Sequence, residues 1–294
     1  MNNIKGIYAA SMSVLNEDLS LNIDKTIEHA EMIIENGCHG AAIFGSTGQA
    51  QLISVSEKIN LLNKLSLRKH KEKYLIGTGL NSLGETINLI KVAKSLKFEN
   101  FLIMPPAYYR YDDYDVISFY SKIIESTPKI KIILYNFEKL CGYKFSIECI
   151  KELVKKFPEQ IVGVKDSSYN LFEKLKLKNF SVMPGSETKL LKGLELGCSG
   201  IITATCNVTS EMARKVYDDF QAGKEQTVNQ KLCYVREVFD NYNLISALHT
   251  FYKRKNNIYK NLLPPLRTLN EVEEKELISH LEKLNFSTKS LLAA

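Results

Sequence analysis

Short apolar runs rich in Ile, Val and Leu recur along the chain, and each is followed by a longer stretch whose apolar residues return at three- and four-residue spacing. The first pattern suits a parallel strand buried on both faces, the second an amphipathic helix that covers it. The runs at 4–10, 40–44, 74–78, 101–104, 130–135, 161–165, 180–183 and 200–203 predict eight strands. Helices are expected at 21–36, 54–70, 83–97, 112–126, 146–157, 169–176, 187–196 and 207–222. Several begin on capping residues: Ser54 and Ser56 precede Glu57, Ser82 precedes Glu85, and Ser146 precedes Glu148. Eight such units are what a (β/α)8 TIM barrel requires. The competing open sheet usually carries a glycine-rich phosphate loop after its first strand. Here that strand runs into Ala10-Ser11-Met12-Ser13.

Beyond residue 222 the strand pattern stops. The remainder reads as helices, broken at Pro264-Pro265, with an amphipathic segment at 271–284. The expected organisation is an α/β barrel over residues 1–222 and a C-terminal helical extension, 223–294, packed on it.

Composition narrows the function classes. The 294 residues are 45% hydrophobic and 24% charged, a globular mix able to bury one large core. No apolar run reaches the ~18–20 residues that span a bilayer. The start, Met1-Asn2-Asn3-Ile4-Lys5-Gly6, lacks the basic-then-apolar layout of a secretion signal, so a cytoplasmic location and no membrane partner are expected. The net charge of +6 is spread out. Clusters such as Arg68-Lys69-His70-Lys71 and Lys253-Arg254-Lys255 have no interleaved aromatics to stack on bases, which argues against nucleic acid. The balance would suit an anionic substrate without demonstrating one. The cysteines at 38, 141, 149, 198, 206 and 233 and the histidines at 29, 39, 70, 249 and 280 are dispersed, with no Cys-x-x-Cys pair or zinc-ligand spacing. Neither a metal nor an organic cofactor is expected. The Asn-x-Ser/Thr triplets at Asn207 and Asn285 are chance matches in a cytoplasmic chain.

In a barrel of this kind the chemistry sits at the carboxyl ends of the strands. After strand two, Gly45-Ser46-Thr47-Gly48-Gln49 offers hydroxyls and backbone N–H groups that could converge on a carboxylate, although a plain tight turn explains it equally well alone. After strand four comes Pro105-Pro106-Ala107-Tyr108-Tyr109-Arg110, whose tyrosines taken singly suit packing or an interface. Strand five ends at Tyr135, an acid–base candidate. Strand six, Ile161-Val162-Gly163-Val164-Lys165-Asp166, places a lysine at the end of an otherwise apolar strand. Burying an ammonium is costly, and loss of water favours the free amine that attacks a carbonyl. The plain alternative is a rim lysine paired with Asp166. Tyr135 on the neighbouring strand and the hydroxyl loop across the mouth favour the nucleophile.

Gly45-Ser46-Thr47-Gly48, Tyr135-Asn136 and Gly163-Val164-Lys165-Asp166 together resemble the motifs of the dihydrodipicolinate synthase/N-acetylneuraminate lyase family. The similarity runs in order from about Gly6 to Val208, and Pro264-Pro265-Leu266 is similar to a tail motif of the group. The resemblance implies a (β/α)8 class I aldolase or lyase, commonly a homotetramer built as a dimer of dimers, that uses pyruvate or a related 2-oxo acid. It implies Lys165 as the Schiff-base amine and Tyr135 as the proton shuttle. Ser46 and Thr47 would hold the 2-oxo acid carboxylate, with Thr47 as the hydroxyl in the relay. Tyr108 would complete that relay, in many members across a subunit contact, with Tyr109 as a possible substitute. Gly185 and Ile202 match positions lining the pyruvate pocket.

Departures from the family pattern bear on the second substrate. Lysine-pathway synthases usually carry arginine where this chain has Leu140, to hold the carboxylate of aspartate semialdehyde. Lys139 is adjacent, but an ammonium poorly replaces a bidentate guanidinium. Glu138 stands in place of the usual proline, and Gln49 in place of the usual glutamate. The leading expectation is thus an aldolase or lyase for a 2-keto-3-deoxy sugar acid or an N-acetylneuraminate-like compound. Dihydrodipicolinate synthase proper is the enzymatic alternative, and a non-catalytic 2-oxo acid sensor the alternative from another class.

Overall fold

Each of the eight apolar runs forms a strand because it can bury both faces, one inside a barrel and one under helices. In the computed structural model, which describes residues 4–287, these are β1 (Gly6–Ala10), β2 (Gly40–Ile43), β3 (Tyr74–Gly77), β4 (Asn100–Ile103), β5 (Lys131–Asn136), β6 (Ile161–Asp166), β7 (Ser181–Pro184) and β8 (Gly200–Thr203). Residues 1–3 of the amino-terminal stretch and residues 288–294 of the expected extension lie outside the described residues. Every paired neighbour is parallel, in the order β7-β6-β5-β4-β3-β2-β1-β8. The two ends of this ladder meet where Ser199 N–H donates to the Val182 carbonyl at 2.9 Å, nearly closing the barrel.

The helices between strands are α1 (Ile23–Glu35), α2 (Val55–Leu65), α3 (Leu83–Ser95), α4 (Asp113–Ser126), α5 (Glu138–Cys141), α6 (Ile147–Lys156), α7 (Leu190–Glu195) and α8 (Cys206–Gln221). Their starts follow the capping chemistry. Ser54 Oγ accepts from Glu57 N–H while the Glu57 carboxylate accepts from Ser54 N–H, and Ser82 and Ser146 accept from Glu85 and Cys149. One expected helix is absent: residues 169–176 form turns. Tyr169 adopts φ 57°, and the Asp166 carboxylate takes the N–H groups of Leu171 and Phe172, which holds the chain in a loop instead of a helix. The one-turn α5, which carries Leu140, was not anticipated.

After α8 come α9 (Asn229–Asp240), α10 (Leu244–Lys253) and α11 (Glu271–Lys283). Their apolar faces (Phe239, Leu248, Phe251, Leu277) share one buried cluster with Met12 and Val208 of the barrel. Each such buried side chain contributes about 1.5–3 kcal/mol. Among the hydrogen bonds that tie the segment to the strand-end loops, Asn261 Nδ2 donates to the Leu15 carbonyl, and Leu263 N–H donates to Gln49 Oε1 at 2.8 Å. No helix among the described residues is long and apolar enough to cross a membrane.

Candidate active site

The β5–β6 register sets Tyr135 beside Lys165 and Asn136 beside Asp166. Successive strand residues point to opposite faces, so the first pair shares one face and the second pair the other. Tyr135 and Lys165 are each 3% exposed, and Lys165 Nζ lies 4.1 Å from the centroid of the Tyr135 ring. That is within cation–π range for a protonated amine.

Asp166 does not neutralise this lysine. Asn136 Nδ2 donates to its Oδ1 at 2.8 Å, and Leu171 and Phe172 N–H groups donate to its Oδ2 at 2.9 and 3.0 Å. Burial pushes the Asp166 carboxyl above its ordinary value, while these hydrogen bonds work in the opposite direction. No ion pair joins it to Lys165 among the described residues. Asn136 also donates to Asn170 Oδ1 and accepts from Phe145 N–H, so the outward pair fastens the loops after β5 and β6.

Across the mouth, Ser46 Oγ and Tyr135 Oη are 3.0 Å apart and hydrogen-bonded. The loop that presents Ser46 is a compact turn in which Gly48 and Gln49 N–H groups return to the Gly45 and Ser46 carbonyls. It is anchored by Ser13 Oγ, which donates to Gly48 O at 2.7 Å. Phe44 and Gln49 flank it with φ of 58° and 54°, left-handed values that are unusual away from glycine. Thr47 is buried one residue further on, and the hydroxyl bonded to Tyr135 is that of Ser46.

Gly185 follows β7, donates its N–H to Asp166 O at 3.0 Å, and leaves no room for a side chain because a β-carbon there would collide with Ser167. Ile202 is fully buried on β8, in register with Tyr8. Tyr108 and Tyr109 are a different matter. They are 91% and 75% exposed, packed edge to face on each other, and neither is hydrogen-bonded to Tyr135 or Ser46 within the chain. Tyr108 has φ 90°, a strained value for a bulky residue.

Sequence reasoning missed a second buried group beside Gly185. Arg236, on α9, places Nη1 3.1 Å from Glu187 Oε2, 2.8 Å from Thr203 Oγ1 and 3.5 Å from Gly185 O. Burial opposes the Arg236 charge, but Glu187 and Asp240 outweigh it and hold the pKa above the usual guanidinium value. The clamp fixes the ends of β7 and β8 relative to each other. Glu187 follows a recognisable Pro-Gly-Ser turn, yet nothing local indicates that Arg236, 49 residues later, would reach it.

A cavity of about 270 Å³ opens beside Tyr135 and Ser46 and extends towards Leu140 and Ile245. No cluster of three or more potential metal ligands occurs among the described residues.

The nearly closed parallel barrel thus brings a buried lysine, a phenol and a hydroxyl together at the carboxyl ends of its strands. The chain belongs to the dihydrodipicolinate synthetase family, whose model matches residues 3–284. It is 30% identical to an uncharacterized DapA-like lyase of Thermococcus onnurineus, over 81% of this chain and 84% of that one. It is also 30% identical to the N-acetylneuraminate lyase of Pasteurella multocida, over 76% of this chain and 78% of that one. Among solved structures it resembles YagE of E. coli K12, a prophage protein of the dihydrodipicolinic acid synthase family in complex with pyruvate. The TM-score is 0.85 at 21% identity, covering 96% of this chain and 99% of that one. The chain is accordingly a lyase of the class I aldolase type.

Proposed function

We propose that Lys165 forms a Schiff base with pyruvate or a related 2-oxo acid, and that the enzyme makes or breaks the carbon–carbon bond between that acid and an aldehyde. The observation that carries this reading is the arrangement of Lys165 Nζ against the Tyr135 ring, with the Tyr135 hydroxyl held by Ser46. The amine adds to the ketone carbon and water leaves, giving an iminium. Loss of a proton from the adjacent carbon then gives an enamine, with the iminium as electron sink. Tyr135 transfers protons at the carbonyl oxygen, and Ser46 orients its hydroxyl. The N–H groups and hydroxyls of the Gly45–Gln49 turn, including Thr47, hold the carboxylate, and Gly185 and Ile202 line the pocket around the pyruvate carbons.

Tyr108 enters this reading through oligomerisation. Its strained backbone and near-complete exposure support insertion into a second subunit, as part of a homotetramer, with Tyr109 as the neighbouring candidate. Pyruvate bound to YagE supports the substrate class by analogy. The non-catalytic sensor gains no specific observation. The test is borohydride reduction in the presence of pyruvate, followed by peptide mass spectrometry. A reduced adduct on Lys165 is expected, and an unmodified Lys165 would refute the reading.

A further inference from the structure

The cavity shares Tyr135 and Ser46 with the proposed Schiff-base site, while Lys165 lies behind the Tyr135 ring and does not line it; a second substrate held in the cavity would approach an enamine on Lys165 past that ring. Its walls are mostly apolar: Phe44, Leu102, Met104, Leu140, Ile245 and Leu266. No acidic or basic side chain lines it, and Lys139, beside Leu140, is exposed and does not contribute. A carboxylate-bearing aldehyde would therefore lose its hydration with no cation in return. The sugar-acid and sialic-acid-like compounds expected from the sequence would bring several hydroxyls against the same walls, where Ser46, Gln51 and Tyr135 are the polar side chains in reach.

Gln49 adds no donor to this wall: its Oε1 accepts from Leu263 N–H, and its Nε2 is buried out of reach of the cavity.

We infer that the second substrate is an aldehyde with an uncharged, apolar body, an aliphatic or aromatic group in place of a polyol or a carboxylate. The inference rests on the Schiff-base reading above. In the condensing direction, the enamine's electron pair forms a bond from the carbon next to the imine to the aldehyde carbon. The aldehyde oxygen takes a proton from Tyr135, and water then releases the product from Lys165. Pyruvate plus RCHO thus gives a 4-hydroxy-2-oxo acid, with no oxidant or reductant consumed.

The experiment compares kcat/KM for pyruvate condensation with pentanal and benzaldehyde against D-erythrose, N-acetylmannosamine and aspartate semialdehyde, using wild-type enzyme and Leu140→Arg. The apolar aldehydes should lead by at least about tenfold, the scale on which apolar pockets discriminate. Leu140→Arg, at a position 40% exposed and so able to accept the longer side chain, should erase that lead and favour the semialdehyde. If pyruvate is trapped on Lys165 yet a polyol or charged aldehyde is used as well as the best apolar one, this inference falls and the Schiff-base reading stands. Trapping with no turnover of any aldehyde also overturns it, and failure to trap pyruvate overturns both.

Discussion

Two buried lysines, one on a helix and one on a barrel strand, differ in what surrounds their amines. Lys58, on α2, is fully buried with Nζ 2.8 Å from the Thr78 carbonyl and 5.9 Å from the centre of the Phe44 ring. Lys165, on β6, is 3% exposed, makes no hydrogen bond among the described contacts, and faces a phenol whose hydroxyl is held by Ser46. Neither has a carboxylate partner among the described residues. Burial alone thus does not distinguish a nucleophile. Lys58 is spent on a backbone oxygen, whereas Lys165 has an amine at liberty and an acid–base group in contact.

The comparison breaks most sharply on substitution. Lys165→Ala should abolish turnover and the borohydride-trapped pyruvate adduct, while Lys58→Met should keep the adduct on Lys165. A trapped adduct that moves to Lys58, or an active Lys165→Ala enzyme, would reverse the assignment. Tyr135→Phe should lower kcat by about 10²–10⁴-fold, the usual contribution of a positioned acid–base group. Imine formation should persist at a reduced rate, and single-turnover trapping separates the two steps. An unchanged kcat would remove Tyr135 from proton transfer.

The smallest effect is on stability. Burial pulls the Lys58 pKa down from 10.5 to about 8. Between those values the unfolded chain binds a proton that the folded chain does not, so stability should rise as pH increases from about 8 to 10.5. The Lys58 contribution is on the order of 3 kcal/mol across the window. Urea unfolding of wild type and Lys58→Met over this range should show the difference between the two curves flattening above it. Parallel curves throughout would mean that Lys58 stays protonated in the fold.

Much of this molecule was legible in the chain. The strand period located all eight strands, and a lysine at the end of an apolar run stood out because a strand interior rarely tolerates one. The helix at 169–176 was misread because its apolar spacing competes with Asp166, which captures two N–H groups locally. The choice between Ser46 and Thr47 for contact with Tyr135 was beyond reach, since one residue of turn rotation decides which hydroxyl faces the phenol. Tyr108 was named as a relay residue, but within a single chain it lies in solvent.

The sequence by itself determined the barrel, the lysine at its mouth and the absence of an arginine at Leu140, because periodicity and residue type are local properties. Only the tertiary structure decided which groups meet. The β5–β6 register joins Tyr135 to Lys165, and the curvature of the nearly closed sheet brings Ser46 across to the phenol. The C-terminal helices deliver Arg236 to Glu187, Leu263 to Gln49 and Ile245 to the cavity wall. Those contacts span from 30 to more than 200 residues of chain, and their geometry is fixed by packing between elements, which no local pattern encodes.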